Sequence, residues 1–355
     1  MHINDILDSD LLGEMLRKGY VKRTVDNDGF AVYNYTALAQ YSSCWNEVTR
    51  TCRGLITNKE GEVIARGFRK FFNYGQETVS EHGPVHVTEK LDGSLGIAYP
   101  RGGVQAIATR GSFTSEQSVH ANSLWQANYA SKVKLNPAWT YLFEIIYPLN
   151  RIVCNYNTLD DLVLLGALNT ATGRSVALDE ARVSWPGPVV EEHPYKQFRD
   201  VLTLGERAGK EGVVVHFLES DERVKIKHVE YKRLHQIVTG TNELSVWKLL
   251  SGKESYDFNS WLEGVPDEIY NKVRVLVEDL EARHRLLMTK YSREYSELRT
   301  TLGEGFTRAE FARAVEASHV GNKSVLFSIL DGKDPSDAAW RAIRPNGDNP
   351  APTDR

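Results

Sequence analysis

The apolar positions of this chain change rhythm once. From about residue 20 to 230 they fall in short runs rich in β-branched and aromatic side chains, separated by turn residues, which is the pattern of strands. Strands are predicted at 54–58, 63–68, 85–90, 95–99, 105–109, 140–147, 162–168, 212–217 and 224–227. Helical stretches interrupt them at 9–18 and at 114–132, the second with Thr114-Ser115-Glu116-Gln117 to cap its start. Beyond about residue 240 the rhythm turns helical: Ile269, Val273, Leu276, Val277, Leu280, Leu287 and Tyr291 recur at threes and fours within 265–302. Pro266 stands at the start of that stretch, where a missing N–H costs least. Shorter helices are predicted at 307–318 and 336–343, the latter capped by Ser336, and 344–355 reads as a flexible tail. Without regular βαβ alternation the fold class is α+β: antiparallel sheets with flanking helices over 1–240, then an all-α domain over 241–343.

Composition changes this picture little. A chain of 355 residues, 41% hydrophobic and 25% charged, can bury a sizeable core without disulfides or metals. The cysteines, Cys44, Cys52 and Cys154, form no CxxC pair and read as reduced thiols of a cytosolic protein. The N-terminal stretch is acidic and polar, unlike a secretory signal, and no apolar run nears the roughly 20 residues that span a bilayer. A cytoplasmic location, away from membranes, is expected. A net charge of −4 excludes a surface coated in basic residues but leaves room for a local basic groove.

The most specific chemistry lies in Glu89-Lys90-Leu91-Asp92-Gly93-Ser94, where an apolar strand runs into a tight turn. A lysine amine attacks only when neutral, so desolvation or neighbouring charge must tune it. Taken alone, Asp-Gly is also an ordinary hairpin turn. Three further segments set it apart: Leu142-Phe143-Glu144-Ile145, an acid inside an apolar run; Lys210-Glu211-Gly212-Val213; and Val224-Lys225-Ile226-Lys227, with two lysines on one strand face. Paired cations on one face call for anions, which a triphosphate supplies, whereas in isolation they fit a solvated strand edge. Glu144 in turn needs a hydroxyl or a basic partner. The histidines show no metal-ligand spacing, His228, His235 and His284 reading as structural or exposed, and no GxxxxGK[ST] loop is present.

In this order and spacing the segments resemble the covalent nucleotidyltransferase superfamily of ligases and capping enzymes. Lys90–Ser94 is similar to motif I, Phe143-Glu144 to motif III, Glu211-Gly212 to motif IV and Lys225-Ile226-Lys227 to motif V, with 162–168 at the place of motif IIIa. Thr51-Cys52-Arg53-Gly54, Arg69-Lys70-Phe71-Phe72-Asn73 and Thr109-Arg110-Gly111-Ser112 narrow the resemblance to the phage-type RNA ligase 1 family, over about residues 35–235.

The resemblance implies an ATP-dependent RNA ligase. Lys90 takes AMP from ATP, passes it to an RNA 5′-phosphate, and a 3′-hydroxyl then displaces it. Lys225 and Lys227 would stabilise the α-phosphate, Arg53 and Lys70 the β- and γ-phosphates. Arg110 stands where the family often has lysine. Glu144 would contact the ribose, and the backbone of Glu89 the adenine. Phe71 and Phe72 would flank the nucleotide or simply join the core. Glu211 would hold Mg²⁺ (or Mn²⁺) through water, and Asp92 would orient that shell or Lys90 itself. The implied partner is RNA, nicked tRNA being one candidate, in RNA repair. No protein partner is indicated, and the helical domain would select substrates. The competing readings are a GTP-using capping guanylyltransferase, disfavoured by the helical back where a β-barrel would follow motif V, and a non-catalytic RNA-binding relative.

Overall fold

The computed structural model describes residues 1–252, 267–318 and 323–345. The chain divides into two compact units, Met1–Arg233 and Leu234–Ala351.

The first unit holds three sheets. In the first, β1 (Val21–Val25), β2 (Ala31–Tyr35), β3 (Arg53–Thr57) and β4 (Val63–Ala65) form an antiparallel meander. Helix Ser9–Arg17, capped by the Asp8 carboxylate accepting from the Leu11 N–H, buries Leu12 and Met15 against Val21, Tyr33 and Leu55. The third sheet begins with β5 (Phe72–Asn73) and β6 (Val85–Glu89), and the second with β7 (Ser94–Arg101), β8 (Val104–Thr109) and β9 (Trp139–Ile146). The second sheet is completed by β10 (Asp161–Asn169) and β11 (Ser175–Val176), in the order β11-β10-β9-β7-β8. The third is completed by β12 (Glu192–His193), β13 (Gly212–Phe217) and β14 (Arg223–Lys227), in the order β12-β6-β13-β14-β5. All these pairings are antiparallel except β14 with β5.

Alternation divides the third sheet cleanly. Val85, Val87, Val213, Val215, Phe217 and Val224 face a core that includes Phe198 and Val201. The opposite face carries His86, Thr88, Val214, His216, Arg223 and Lys225, all of which line a cleft shared with Ser94, Glu144 and Leu165 of the second sheet. The other face of the second sheet packs on helix Glu116–Leu124 and its wider last turn Trp125–Tyr129, where Trp125, Tyr129, Phe143 and Trp185 cluster. Ser115 caps that helix.

The described residues of the second unit are helical. Helices Asp267–Leu302, Arg308–Ala317, Lys323–Leu330 and Ser336–Ala342 bury Tyr291, Phe311, Val315, Val325, Leu326 and Ala339 in one cluster. Helix Glu243–Leu250 adds Val246 and Trp247 to a second, with Val273 and Leu280, and the Trp247 indole N–H donates to the Trp340 carbonyl at 2.8 Å. Ser336 is the first helical residue and not a cap. That role falls to Pro335, while Asp334 accepts from the Ser336 N–H. Pro266 and most of the expected tail lie outside the described residues. Among those residues no helix is long and apolar enough to cross a membrane.

Candidate active site

The third sheet sets the site out in cross-strand ranks. Lys90, one residue past β6, donates its backbone N–H to the Gly212 carbonyl, and Gly212 faces Lys227. The next rank is Thr88, Val214 and Lys225, and the third is His86, His216 and Arg223. Ranks are about 7 Å apart, two residues along a strand. Gly212 makes the first rank possible: its φ is +142°, and a Cβ there would lie 2.0 Å from the Ile226 carbonyl oxygen.

The turn after Lys90 is clamped from several sides. The Asp92 N–H donates to the Tyr156 hydroxyl (2.8 Å) and the Gly93 N–H to Glu144 Oε1 (2.9 Å). The Asp92 carboxylate accepts from the Val153 and Cys154 N–H groups at 2.8 and 2.9 Å and from the Tyr231 hydroxyl at 2.7 Å. With its backbone so held, the Lys90 amine sits 2.8 Å from Glu211 Oε2, and Lys227 sits 2.8 Å from Oε1 of the same carboxylate. Glu211 is 2% exposed, so one buried anion carries two lysines. Lys225 makes no ion pair among the described residues and lies over the Phe71 ring. Burial, with Lys90, Lys70, Arg53 and Lys227 nearby, lowers its amine to about 7. Burial likewise pushes the Glu144 carboxyl up to about 7, although Lys90 and the Gly93 N–H oppose the rise.

A second group of cations gathers around Tyr35. Lys70 (3.3 Å) and Arg110 (3.0 Å) both donate to its hydroxyl. Lys70 also lies within 4.8–5.1 Å of the Tyr35, Trp45 and Phe72 ring centres. Arg53 donates to the Phe68 carbonyl and stacks over Phe71. Burial alone would raise the Tyr35 hydroxyl, but Arg110, Arg53 and Lys70 carry it below the ordinary tyrosine value. Burial lowers Arg53 and Lys70 as well, with Arg110 adding to the fall in both and Arg53 to that of Lys70.

These groups border a cleft of about 850 Å³ lined by Arg53, Glu89, Lys90, Arg110, Glu144 and Lys225. Lys70, Asp92, Glu211 and Lys227 stand behind that lining. A family model described as RNA ligase matches residues 51–231, just over half of the chain and the stretch that carries every one of these side chains except Tyr35 and Trp45. The chain belongs to the phage-type RNA ligase 1 family.

Individual relatives are distant. An RNA ligase of Rhodothermus phage RM378 is 23% identical over 93% of this chain and 91% of its own. A candidate RNA ligase of Thermovibrio ammonificans is 28% identical over 68% of this chain, which spans 65% of that protein's length. Among solved structures, an archaeal ATP-dependent RNA ligase matches with a TM-score of 0.45 and 15% identity, over 81% of each chain.

One expectation for this site needs correction. Asp92 is not placed to serve a metal: its carboxylate is 4% exposed and already accepts three hydrogen bonds that tie the Lys90 turn to 153–154 and to helix Val229–Gly240. The Glu89 side chain is buried. Glu89 borders the cleft at the end of β6, and alternation directs its carboxylate to His193 (3.1 Å) and Arg207 (2.7 Å). Glu211 spends both oxygens on lysines, and the described residues hold no cluster of three or more His, Cys, Asp or Glu fit for a cation. A cation at Glu211 would therefore have to be held through water or displace a lysine. Sequence reasoning missed Tyr35, Tyr156 and Tyr231, whose hydroxyls organise the cations and the turn; nothing in the local pattern marks them.

Proposed function

We propose that this chain is an ATP-dependent RNA ligase that joins 5′-phosphate and 3′-hydroxyl RNA ends through lysyl-AMP on Lys90 and an RNA-adenylate. The observation that carries the reading is the shared carboxylate. Glu211 lies 2.8 Å from the Lys90 amine, beside a cleft that Arg53, Arg110 and Lys225 also line. In the first step the Lys90 nitrogen bonds to the α-phosphorus, the α–β phosphoanhydride bond breaks, and pyrophosphate leaves. Glu211 is the acceptor within reach of the amine's proton. Lys225 and Lys227 neutralise charge at the α-phosphate, while Arg53, Lys70 and Arg110 receive the departing pyrophosphate. Glu144 meets the ribose hydroxyl. The AMP then moves to an RNA 5′-phosphate, and a 3′-hydroxyl displaces it. Mg²⁺ or Mn²⁺ enters bound to the triphosphate. A role in RNA repair, with nicked tRNA among the substrates, extends the reading and rests on the family resemblance.

The test uses a 5′-phosphorylated RNA and a 3′-hydroxyl acceptor with ATP and magnesium. Joined product is expected, with RNA-adenylate visible as an intermediate. Lys90→Ala is expected to lose joining from ATP yet to seal RNA supplied already adenylated. Joining by Lys90→Ala from ATP at the normal rate would refute the covalent route.

A further inference from the structure

A charged network behind the cleft is left unused by the chemistry above. The loop from 202 to 210, between helix Phe198–Val201 and β13, forms neither helix nor strand and is largely exposed. Yet it runs into Glu211, which is 2% exposed and lies 2.8 Å from both Lys90 and Lys227. On its far side Glu211 is fixed by the His228 N–H, which donates to its carbonyl at 2.9 Å. On the near side the loop depends on side-chain anchors.

Two such anchors are present. Arg207 Nη1 donates to Glu89 Oε2 at 2.7 Å, and the Glu206 carboxylate accepts from the Val229 N–H at 3.0 and 3.1 Å. Glu89 immediately precedes Lys90, and Val229 opens the helix whose Tyr231 hydroxyl donates to Asp92. One loop therefore grips the chain on both sides of the nucleophile and leads into the carboxylate that faces its amine.

The Arg207 anchor is the firmer. Glu206 is 57% exposed, so water competes for its bond. Glu89 is 2% exposed, and its Oε1 has no hydrogen-bond partner among the described residues, the Lys210 amine standing 4.0 Å away. Separating Arg207 from a carboxylate so buried leaves an uncompensated charge inside the protein. His193 Nε2 completes the cluster from β12, 3.1 Å from Glu89 Oε2 and 3.3 Å from Arg207.

We propose that Arg207, acting through Glu89, is a positioning residue that sets the Glu211 carboxylate against the Lys90 amine. Arg207 is not among the residues that line the cleft. The inference rests on the lysyl-nucleotide reading and extends it to the loop that precedes Glu211.

The experiment uses the full chain and its Arg207→Met, Arg207→Lys and Glu89→Gln variants. It measures the rate constant of lysyl-AMP formation, the ATP concentration giving half that rate, sealing of RNA supplied already adenylated, and the urea midpoint. In Arg207→Met the rate constant should fall roughly tenfold or more, because a small misplacement of reacting groups is costly. The half-saturating ATP concentration and the sealing rate should each stay within about twofold, since neither depends on deprotonating Lys90. Arg207→Lys should recover part of the rate. The double variant Arg207→Met/Glu89→Gln should be no slower than the slower single one, because both remove the same contact. Adduct formation at the unaltered rate in Arg207→Met would overturn the proposal. So would equal losses in adduct formation and sealing, or single losses that multiply in the double variant. Should the urea midpoint show Arg207→Met unfolded, Glu89→Gln, which keeps the buried side chain's shape, is judged by the same rates. An unaltered chain that takes no label from ATP would instead bring down the lysyl-nucleotide reading, and this proposal with it.

Discussion

On the proposed reading, Lys225 is the residue whose charge state most shapes nucleotide binding. Its amine titrates near 7 when the cleft holds no anion, because burial and the surrounding cations disfavour its charged form. A triphosphate binds the protonated form, so binding takes up a proton and weakens as pH rises above 7. For folding the sign is that of a depressed amine: the stability it confers is present above the ordinary lysine value and is lost as pH falls through about 7. Affinity for α,β-methylene-ATP, which cannot release pyrophosphate, should fall by up to roughly tenfold per pH unit above 7. Glu144 also titrates near 7, so the decisive comparison is Lys225→Arg, in which the slope should shrink. A flat profile in the unaltered protein would contradict this account of Lys225.

Asp92 makes a second residue-scale test. Asp92→Asn disturbs acceptors for two buried N–H groups and one hydroxyl, so stability should drop by about 1–3 kcal/mol in urea unfolding. The magnesium concentration needed for half-maximal activity should not change; a raised requirement would restore the metal role. Lys90, Glu144, Glu211, Lys225 and Lys227 were legible in the sequence because each sits in a short linear pattern. Tyr35 and Tyr231 were not, since their partners Arg110 and Asp92 lie 75 and 139 residues away.

At the scale of elements, the cleft depends on two strands meeting without a side chain between them. Gly212→Ala would drive a methyl group into the Ile226 carbonyl and strain a φ of +142°, at a cost of about 3 kcal/mol or more, readable as a lowered urea midpoint together with loss of adenylate formation. Wild-type stability in that variant would contradict the close approach of β13 and β14. Long runs such as β9, β10 and β13 were readable from their apolar content. Two-residue strands such as β5, β11 and β12 carry no pattern, because their pairing is set by tertiary contacts. The run expected at 63–68 ends as a strand at Ala65, and a Cβ on Gly67 would lie 2.0 Å from the Arg53 carbonyl. The periodic helix of 265–302 is seen as Asp267–Leu302, since 36 residues of regular spacing leave little room for ambiguity.

For the whole molecule, the change of rhythm expected at about 240 lies past the division between Arg233 and Leu234, because helix Val229–Gly240 runs across it, and the described residues beyond are helical. The matched stretch 51–231 ends within the first unit. A protein ending at Gly240 keeps Tyr231 and its bond to Asp92, and is expected to form lysyl-AMP while losing preference among RNA ends. If it chose among RNAs as the full chain does, substrate selection would not belong to the helical unit. The central claim is the covalent adenylate, and the most direct test is to incubate the full chain with α-labelled ATP and magnesium, denature it, and map the label. We predict AMP on the peptide containing Lys90, none in Lys90→Ala, and release of the label as ATP when pyrophosphate is added. Label on another residue, or none after pretreatment with pyrophosphate to strip AMP already bound, would contradict the account.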